Sequence, residues 1–242
     1  MKRSTLLKAF VPVVLFCLFP VAKLHAWDEG YYSLILPVKS DAKLAIEPEI
    51  TTRLFQVIPP DRAGFRIADG VILFNTMRVG LAYCTIWKEL SAEVSGWFTV
   101  GDFRFGGAAE GIWADDPAAP LTRYWSAAVT LYGTGWIVHN LLNVAFNVQY
   151  DFYFQRLNGG LGLSLSVIPD ALSVVAEGMI SPLGEFSWAW TAGILIKTAG
   201  HQFLIYVGNG NDPRMRNILS DRPAPGEISF GVGLRRKIDI IY

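Results

Sequence analysis

Val138-His139-Asn140-Leu141-Leu142-Asn143-Val144-Ala145-Phe146-Asn147-Val148-Gln149-Tyr150-Asp151-Phe152 changes character from one residue to the next over most of its length. Val138, Leu142, Val144, Phe146, Val148, Tyr150 and Phe152 share one parity, with Asn140 as the exception. His139, Asn143, Ala145, Asn147, Gln149 and Asp151 share the other, with Leu141 as the exception. A helix would mix both sets on every face, whereas successive residues of a strand point to opposite sides. The segment therefore predicts a strand that is apolar on one side and lined by amides on the other.

The same period recurs on both sides of it. Val79, Leu81 and Tyr83 oppose Arg78, Gly80, Ala82 and Cys84, and Leu90, Ala92, Val94, Phe98 and Val100 oppose Ser91, Glu93, Ser95, Trp97 and Thr99. Segments 44–55, 121–132, 161–167, 172–180, 186–197 and 201–208 are also strand-like. The chain ends on another, in which Tyr242, Ile240, Ile238, Leu234, Val232, Phe230 and Ile228 share a parity broken only by Arg236. The total is about ten strands, or twelve if 107–114 and 32–38 are both strands. Turns are expected at 87–89, 133–135, 168–170 and 198–200, where Gly, Pro or Asp punctuate the chain. Longer connections are expected at 58–70, 101–120, 154–159 and 208–226.

Composition narrows the class. The chain is 52% hydrophobic, with 8 Trp, 9 Tyr and 15 Phe, yet its longest uncharged stretch carries Asn140, Asn143, Asn147 and Gln149. A spanning helix with that many amides is costly in lipid. High apolarity without spanning helices is what a transmembrane antiparallel up-and-down β-barrel produces, because only alternate residues face lipid. Lys2 and Arg3, the apolar run 9–22 and the small residue Ala26 read as a secretory signal peptide over 1–26, which leaves 27–242 as one barrel domain. The run is too short for a spanning helix. The chain has 21 Lys and Arg against 21 Asp and Glu, and loss of Lys2, Arg3, Lys8 and Lys23 leaves 17 against 21, a formal −4. That balance argues against nucleic acid as a partner. Only Cys84 remains after cleavage, so no intrachain disulfide is expected.

A signal peptide, regular alternation and an aromatic terminal strand resemble bacterial outer-membrane β-barrel proteins. More narrowly, Gly200-His201-Gln202-Phe203-Leu204-Ile205-Tyr206-Val207-Gly208-Asn209 is similar to the penultimate strand of an uncharacterised barrel family, a domain of unknown function. That family carries a Gly-His-x-Phe strand followed by a Gly-rich final strand, here Phe230-Gly231-Val232-Gly233-Leu234-Arg235-Arg236. The resemblance covers about the last forty residues and implies a barrel in the outer membrane of a diderm bacterium, exported through the cleaved signal. It also implies recognition of the C-terminal strand by the barrel-assembly machinery and contact with outer-membrane lipid and lipopolysaccharide. It implies no reaction and no substrate.

If apolar residues face lipid, the lumen receives Glu47, Glu49, Arg53, Arg78, Glu93, Asn143, Asn147, Gln149, Asp151, Glu177, Lys197 and Arg235. These define either a narrow channel or small-solute transporter with a charged lumen, or a closed structural barrel that works through its extracellular loops. In the closed case opposite charges on neighbouring strands form a lattice, since buried charges need partners. Trp97 falls on the inward parity, but Trp is enriched at membrane interfaces and a girdle role is expected for it, as for Trp125, Trp136, Trp188 and Trp190. Gly208-Asn209-Gly210-Asn211-Asp212-Pro213 lacks the spacing of a helix-loop-helix calcium site and reads as a turn. His139 and His201 are the only histidines left after cleavage, and neither has a serine at the spacing barrel lipid hydrolases use. The expectation is a non-enzyme with no cofactor and no metal.

Overall fold

The computed structural model describes residues 42–55, 62–85, 88–116, 119–182, 187–198, 200–209 and 228–241. The signal segment 1–26 and the candidate strand 32–38 lie outside the described residues. Fourteen strands are present among those described: β1 Leu44–Ile46, β2 Glu49–Phe55, β3 Arg62–Leu73, β4 Met77–Cys84, β5 Glu89–Val100, β6 Phe103–Asp116 and β7 Ala119–Val138. They continue with β8 Leu142–Asp151, β9 Arg156–Ile168, β10 Leu172–Ser181, β11 Ser187–Thr198, β12 His201–Gly208, β13 Ser229–Arg236 and β14 Ile238–Ile241.

Each strand from β2 to β13 pairs antiparallel with the next, and β13 returns to β2 with Gly233 opposite Thr51 and Arg235 opposite Glu49. Twelve strands thus close on themselves. The two extra strands, β1 and β14, prolong the first and last staves beyond interruptions at Glu47-Pro48 and Lys237. They pair with each other through Ala45 and Asp239, and β1 also pairs with β3 through Ala45 and Ile72. Pro48 has no N–H to give to a ladder, so the stave breaks where it stands. The neighbouring groups are still satisfied: Glu47 N donates to Gly70 O at 2.8 Å and Arg236 N donates to Pro48 O at 2.9 Å.

The count is twelve where the sequence suggests about ten, because β3 and β6 lie in stretches that read as loops. In β3 the alternation of Ile67 and Val71 against Arg66, Ala68 and Ile72 is blurred by Asp69, which is exposed on the apolar parity. In β6 the outward positions include Gly107, Ala109 and Gly111, so the hydrophobic contrast nearly vanishes. Pairing with both neighbours over the length of the strand overrides that weak local preference. The expected turn at 133–135 is instead the middle of β7. Gly133 and Gly135 point outward there, and a Cβ on Gly133 would come within 2.5 Å of the Phe146 ring and 3.0 Å of Phe105. These glycines seat phenyl rings. The turn falls at 139–141, with Asn140 at φ 57° and Leu141 N bonded to Val138 O at 3.0 Å. The two exceptions to the alternation of 138–152 are the residues of that turn.

At the end where β1 begins and β14 stops, the connections 74–76, 101–102, 139–141, 169–171 and 199–200 are two or three residues long. At the opposite end they run from two residues to the twenty of 209–228. The expected turn at 87–89 falls at that opposite end once twelve strands are threaded. Along the strands the outward parity carries exposed Val79, Leu81, Leu131, Leu161, Leu163 and Ile205. The inward parity carries buried Ser95, Thr130, Asn143, Gln149, Ser164 and Glu177. Apolar outside and polar inside is the inverse of a water-soluble barrel and matches a membrane-spanning one. Trp125 and Trp188 are exposed on the outer face near the long-connection end. Trp97 is not a girdle residue: it is 6% exposed and packs inside the barrel against Ala42, Ala45, Ile72, Ala108 and Tyr132. Trp136 likewise has inward parity, paired with buried Asn143.

Closure has a direct check. With Cys84 replaced by serine, Thr51→Cys combined with Gly233→Cys is expected to form a disulfide, since these residues are partners across the β2–β13 ladder. Non-reducing gels should then show altered migration of the unfolded chain, and the absence of that band contradicts closure through this pair.

Candidate functional site on the inner wall

Six charged side chains from five neighbouring staves meet inside the barrel. Glu47 and Glu49 flank Pro48, so both point inward from the broken first stave. Arg235 reaches them from the last stave, with Nη2 2.9 Å and Nε 3.2 Å from Glu49 Oε2, and Nε 3.6 Å from Glu47 Oε1. Arg66 of β3 donates from Nη1 to Glu49 Oε1 at 2.8 Å. Arg78 of β4 sits between Glu47 Oε2, 3.2 Å from its Nε, and Glu93 Oε1 of β5, 3.1 Å from its Nη1. The order Arg66, Glu49, Arg235, Glu47, Arg78, Glu93 alternates in sign throughout. Each internal member has an opposite charge on both sides, which is what offsets the desolvation of buried ions.

Glycines give this chain its room. Gly70 and Gly80 face inward as partners, and a Cβ on Gly70 would fall within 2.7 Å of Arg78 Cζ. The Arg78 guanidinium lies where those side chains would be. Next along the wall, Glu110 of β6 stands directly opposite Glu93. Tyr132 covers inward Gly106 and donates from its hydroxyl to Gly96 O at 3.3 Å.

The facing staves β7–β9 present amides and hydroxyls, while β10–β12 add a buried apolar cluster that includes Val175, Met179, Leu195 and Tyr206. Thr134 Oγ1 donates to Asn143 Oδ1 at 2.9 Å, and Gln149 Nε2 donates to Thr130 Oγ1 at 3.1 Å. Asn147 and Asn158 are each 1% exposed. Asn147 Nδ2 and Oδ1, Asn158 Oδ1 and Gln149 Oε1 have no hydrogen-bond partner among the described residues. Glu177 and Lys197 are buried on the same wall. Asp151 acts locally, where its Oδ1 accepts from the backbone N–H of Tyr153 at 2.9 Å and of Phe154 at 3.0 Å and so caps the β8–β9 turn. Arg53 lies in β2 opposite Gly64 and Gly231, and its side chain is outside the described residues. The structure thus brings Glu47, Glu49, Arg78, Glu93 and Arg235 into one chain, and Asn143, Asn147, Gln149, Glu177 and Lys197 onto the other wall. The sequence reading missed Arg66 and Glu110, which sit in the two staves that read as loops.

Of the stretch 208–213 only Gly208 and Asn209 lie within the described residues. Asn209 Oδ1 accepts from Trp190 N at 2.7 Å, which anchors the start of the long connection. His139 is exposed in a turn, 4.0 Å from Asp102, and His201 stacks on Phe203 at 6.0 Å. Among the described residues no group of three His, Cys, Asp or Glu side chains could hold a metal ion.

This architecture is that of a porin-like closed barrel. The chain is similar in fold to a solved structure of the KdgM porin, with a TM-score of 0.58 at 9% identity over 78% of this chain and 98% of that one. A second structure, the KdgM porin in complex with disordered oligogalacturonate, gives 0.55 at 10% identity over 79% and 98%. No protein-family model matches the chain, and no curated protein matches it in sequence.

The ion chain makes a sharp stability prediction. Glu49→Gln takes the carboxylate from Arg66 and the nearer of two from Arg235, and is expected to cost about 3 kcal/mol, as when one partner of a buried pair is removed. Urea unfolding of the barrel in lipid vesicles measures it. A loss within about 0.5 kcal/mol of zero, typical of a surface substitution, contradicts a coupled chain.

Proposed function

We propose that the protein is an integral outer-membrane channel that passes small neutral or zwitterionic solutes. The observation that carries this reading is the division of the interior. One wall holds an ion chain whose charges neutralise each other, and the other offers amide and hydroxyl groups such as Asn147, Asn158 and Gln149. In this conformation those amides are closed off and carry polar atoms without a partner, so opening of the lumen would let them bond to water or to a hydroxylated or amide-bearing solute without binding it tightly. The apolar outer face supports a bilayer location. The short connections at the end bearing β1 and β14 support a periplasmic placement of that end. In this reading β13 and β14 form the terminal segment engaged by the assembly machinery, and no reaction is assigned.

Oligogalacturonate, held by one of the KdgM structures, is a polyanion and calls for cations with charge to spare. Here Arg66, Arg78 and Arg235 all have carboxylate partners, so that ligand is not extended to this chain. A second reading, a closed barrel that works through its outer connections, draws support from inward apolar side chains. Val175, Met179, Leu195 and Tyr206 form one buried cluster and Trp97, Ile72 and Tyr132 another.

Planar bilayers separate the two. A channel gives discrete conductance steps, and Arg78→Gln, which leaves Glu47 and Glu93 without their shared cation, shifts the reversal potential toward cation selectivity. A silent membrane across the voltage range supports the closed barrel instead.

A further inference from the structure

The interior is covered more completely than its own side chains account for. About eight strands give a barrel whose interior side chains just fill, and twelve make a wider one. Yet Ala145, Ser164, Ser173 and Ala189, which face inward from the neighbouring staves β8–β11, are 0%, 0%, 0% and 1% exposed. Ser173 stands near the short-connection end and Ala189 near the other, so the cover runs along most of the wall. Side chains this short do not reach across a lumen of that width. Among them, Asn147 Nδ2 and Oδ1, Asn158 Oδ1, Gln149 Oε1 and Thr191 Oγ1 are shut off from solvent without a hydrogen-bond partner among the described residues. Buried polar atoms in that state cost free energy unless a further group bonds to them. The wall has the form of one half of an interface, with amides on β8 and β9 and the apolar cluster of Val175, Met179, Leu195 and Tyr206 beside them.

Two stretches beyond the described residues adjoin the ends of the barrel, 210–227 and the residues before Ala42. Ala42 favours the second. It is 1% exposed and belongs to the buried cluster of Ala45, Ile72, Trp97, Ala108 and Tyr132, all of which face inward. Beside it, Lys43 N donates to Ile241 O at 2.6 Å and Phe74 N donates to Lys43 O at 2.8 Å. The chain thus leaves the wall at Lys43 and lies on its inner side at Ala42, at the short-connection end. The long connection is anchored elsewhere, with Asn209 bonded to Trp190 N and Ile228 48% exposed on the outer face.

Residues 27–41 hold the apolar run Leu34-Ile35-Leu36-Pro37-Val38 between Tyr31, Tyr32 and Ser33 on one side and Lys39, Ser40 and Asp41 on the other. Fully extended, that length reaches about 50 Å, more than the roughly 30 Å of a hydrocarbon core. An extended chain offers an N–H and a C=O at every residue, Pro37 giving only the C=O. Those are the groups that Asn147, Asn158 and Gln149 lack, and the run 34–38 suits the apolar cluster.

We propose that residues 27–41 enter the lumen from the short-connection end and plug it, held by the amides of β8–β9 and the apolar cluster of β10–β12. The inference deepens the channel reading, on which its conductance test rests, by naming what closes the lumen. Withdrawal of the segment exposes the amide wall to solute.

Two measurements on the barrel expressed with its own leader test the plug. In the first, Ile35→Cys in a Cys84→Ser background meets a maleimide carried on a polymer too large to enter the lumen. Labelling is expected to be about an order of magnitude slower in the folded barrel than in the boiled chain. A short bis-maleimide is expected to join Ile35→Cys to Ser164→Cys. Equal labelling rates or no cross-link overturns the plug, as does protection and cross-linking of Asn217→Cys, in the long connection, in place of Ile35→Cys. In the second, deletion of 30–38 is expected to enlarge the conductance steps in planar bilayers while the shift of gel mobility on boiling persists. If the deletion lacks that shift, the labelling result alone decides. Unchanged steps in a barrel that conducts overturn the plug and leave the channel reading standing. A silent membrane from both proteins, with Ile35→Cys protected and cross-linked, keeps the segment in the lumen and overturns the channel.

Discussion

The ladder between β2 and β13 holds every other pairing of the barrel in place. In lipid an unpaired strand edge leaves a row of N–H and C=O groups with nothing to bond, so a membrane sheet must close. Closure here joins residues 49–55 to residues 229–235. It also has to tolerate Pro48, which breaks the first stave, and the interruption at Lys237 in the last. The Glu47 and Glu49 pairings with Arg235 cross this seam at the break, where the backbone ladder is weakest. The ion chain and the barrel's closure occupy one place in the molecule.

Glycine has opposite uses on the two faces of the wall. Inside, Gly70 and Gly106 give space to the Arg78 guanidinium and the Tyr132 ring, so that large polar groups lie flat against the backbone. Outside, Gly133 and Gly135 receive phenyl rings, and Gly107 and Gly111 leave a depression. In the first four cases a side chain is missing so that a neighbouring one can occupy its volume. The distribution of these gaps makes the inner wall uneven, with charges packed on one side and amides on the other, and it cuts a groove into the outer wall over β5–β9.

Much of this is legible in the chain alone. The alternation around residues 78–84, 90–100 and 142–151 fixes both strand type and facing, and the inward parity of Glu47, Glu49, Arg78, Glu93 and Arg235 follows from counting by twos. Two staves are not legible. Residues 103–116 put glycine and alanine on the lipid side, and residues 62–73 put Asp69 there, so neither shows the contrast that marks a strand. Arg66 is lost with the second of them. Trp97 shows the complementary error, since its parity points inward while its residue type suggests the membrane interface. Parity is the better guide because backbone pleating leaves no choice of side.

Strands with one apolar and one polar face, and hence a barrel turned outward to lipid, follow from the order of residues. Side-chain direction in a strand is a local property that reverses at each residue whatever the partner. Three further features needed the assembled barrel: the count of twelve staves, the meeting of Arg235 with Glu47 and Glu49, and the placement of Lys88 and Arg123 on either side of Asp115. Those depend on register between strands, and register is set by pairing partners and by closure across nearly the whole length of the chain.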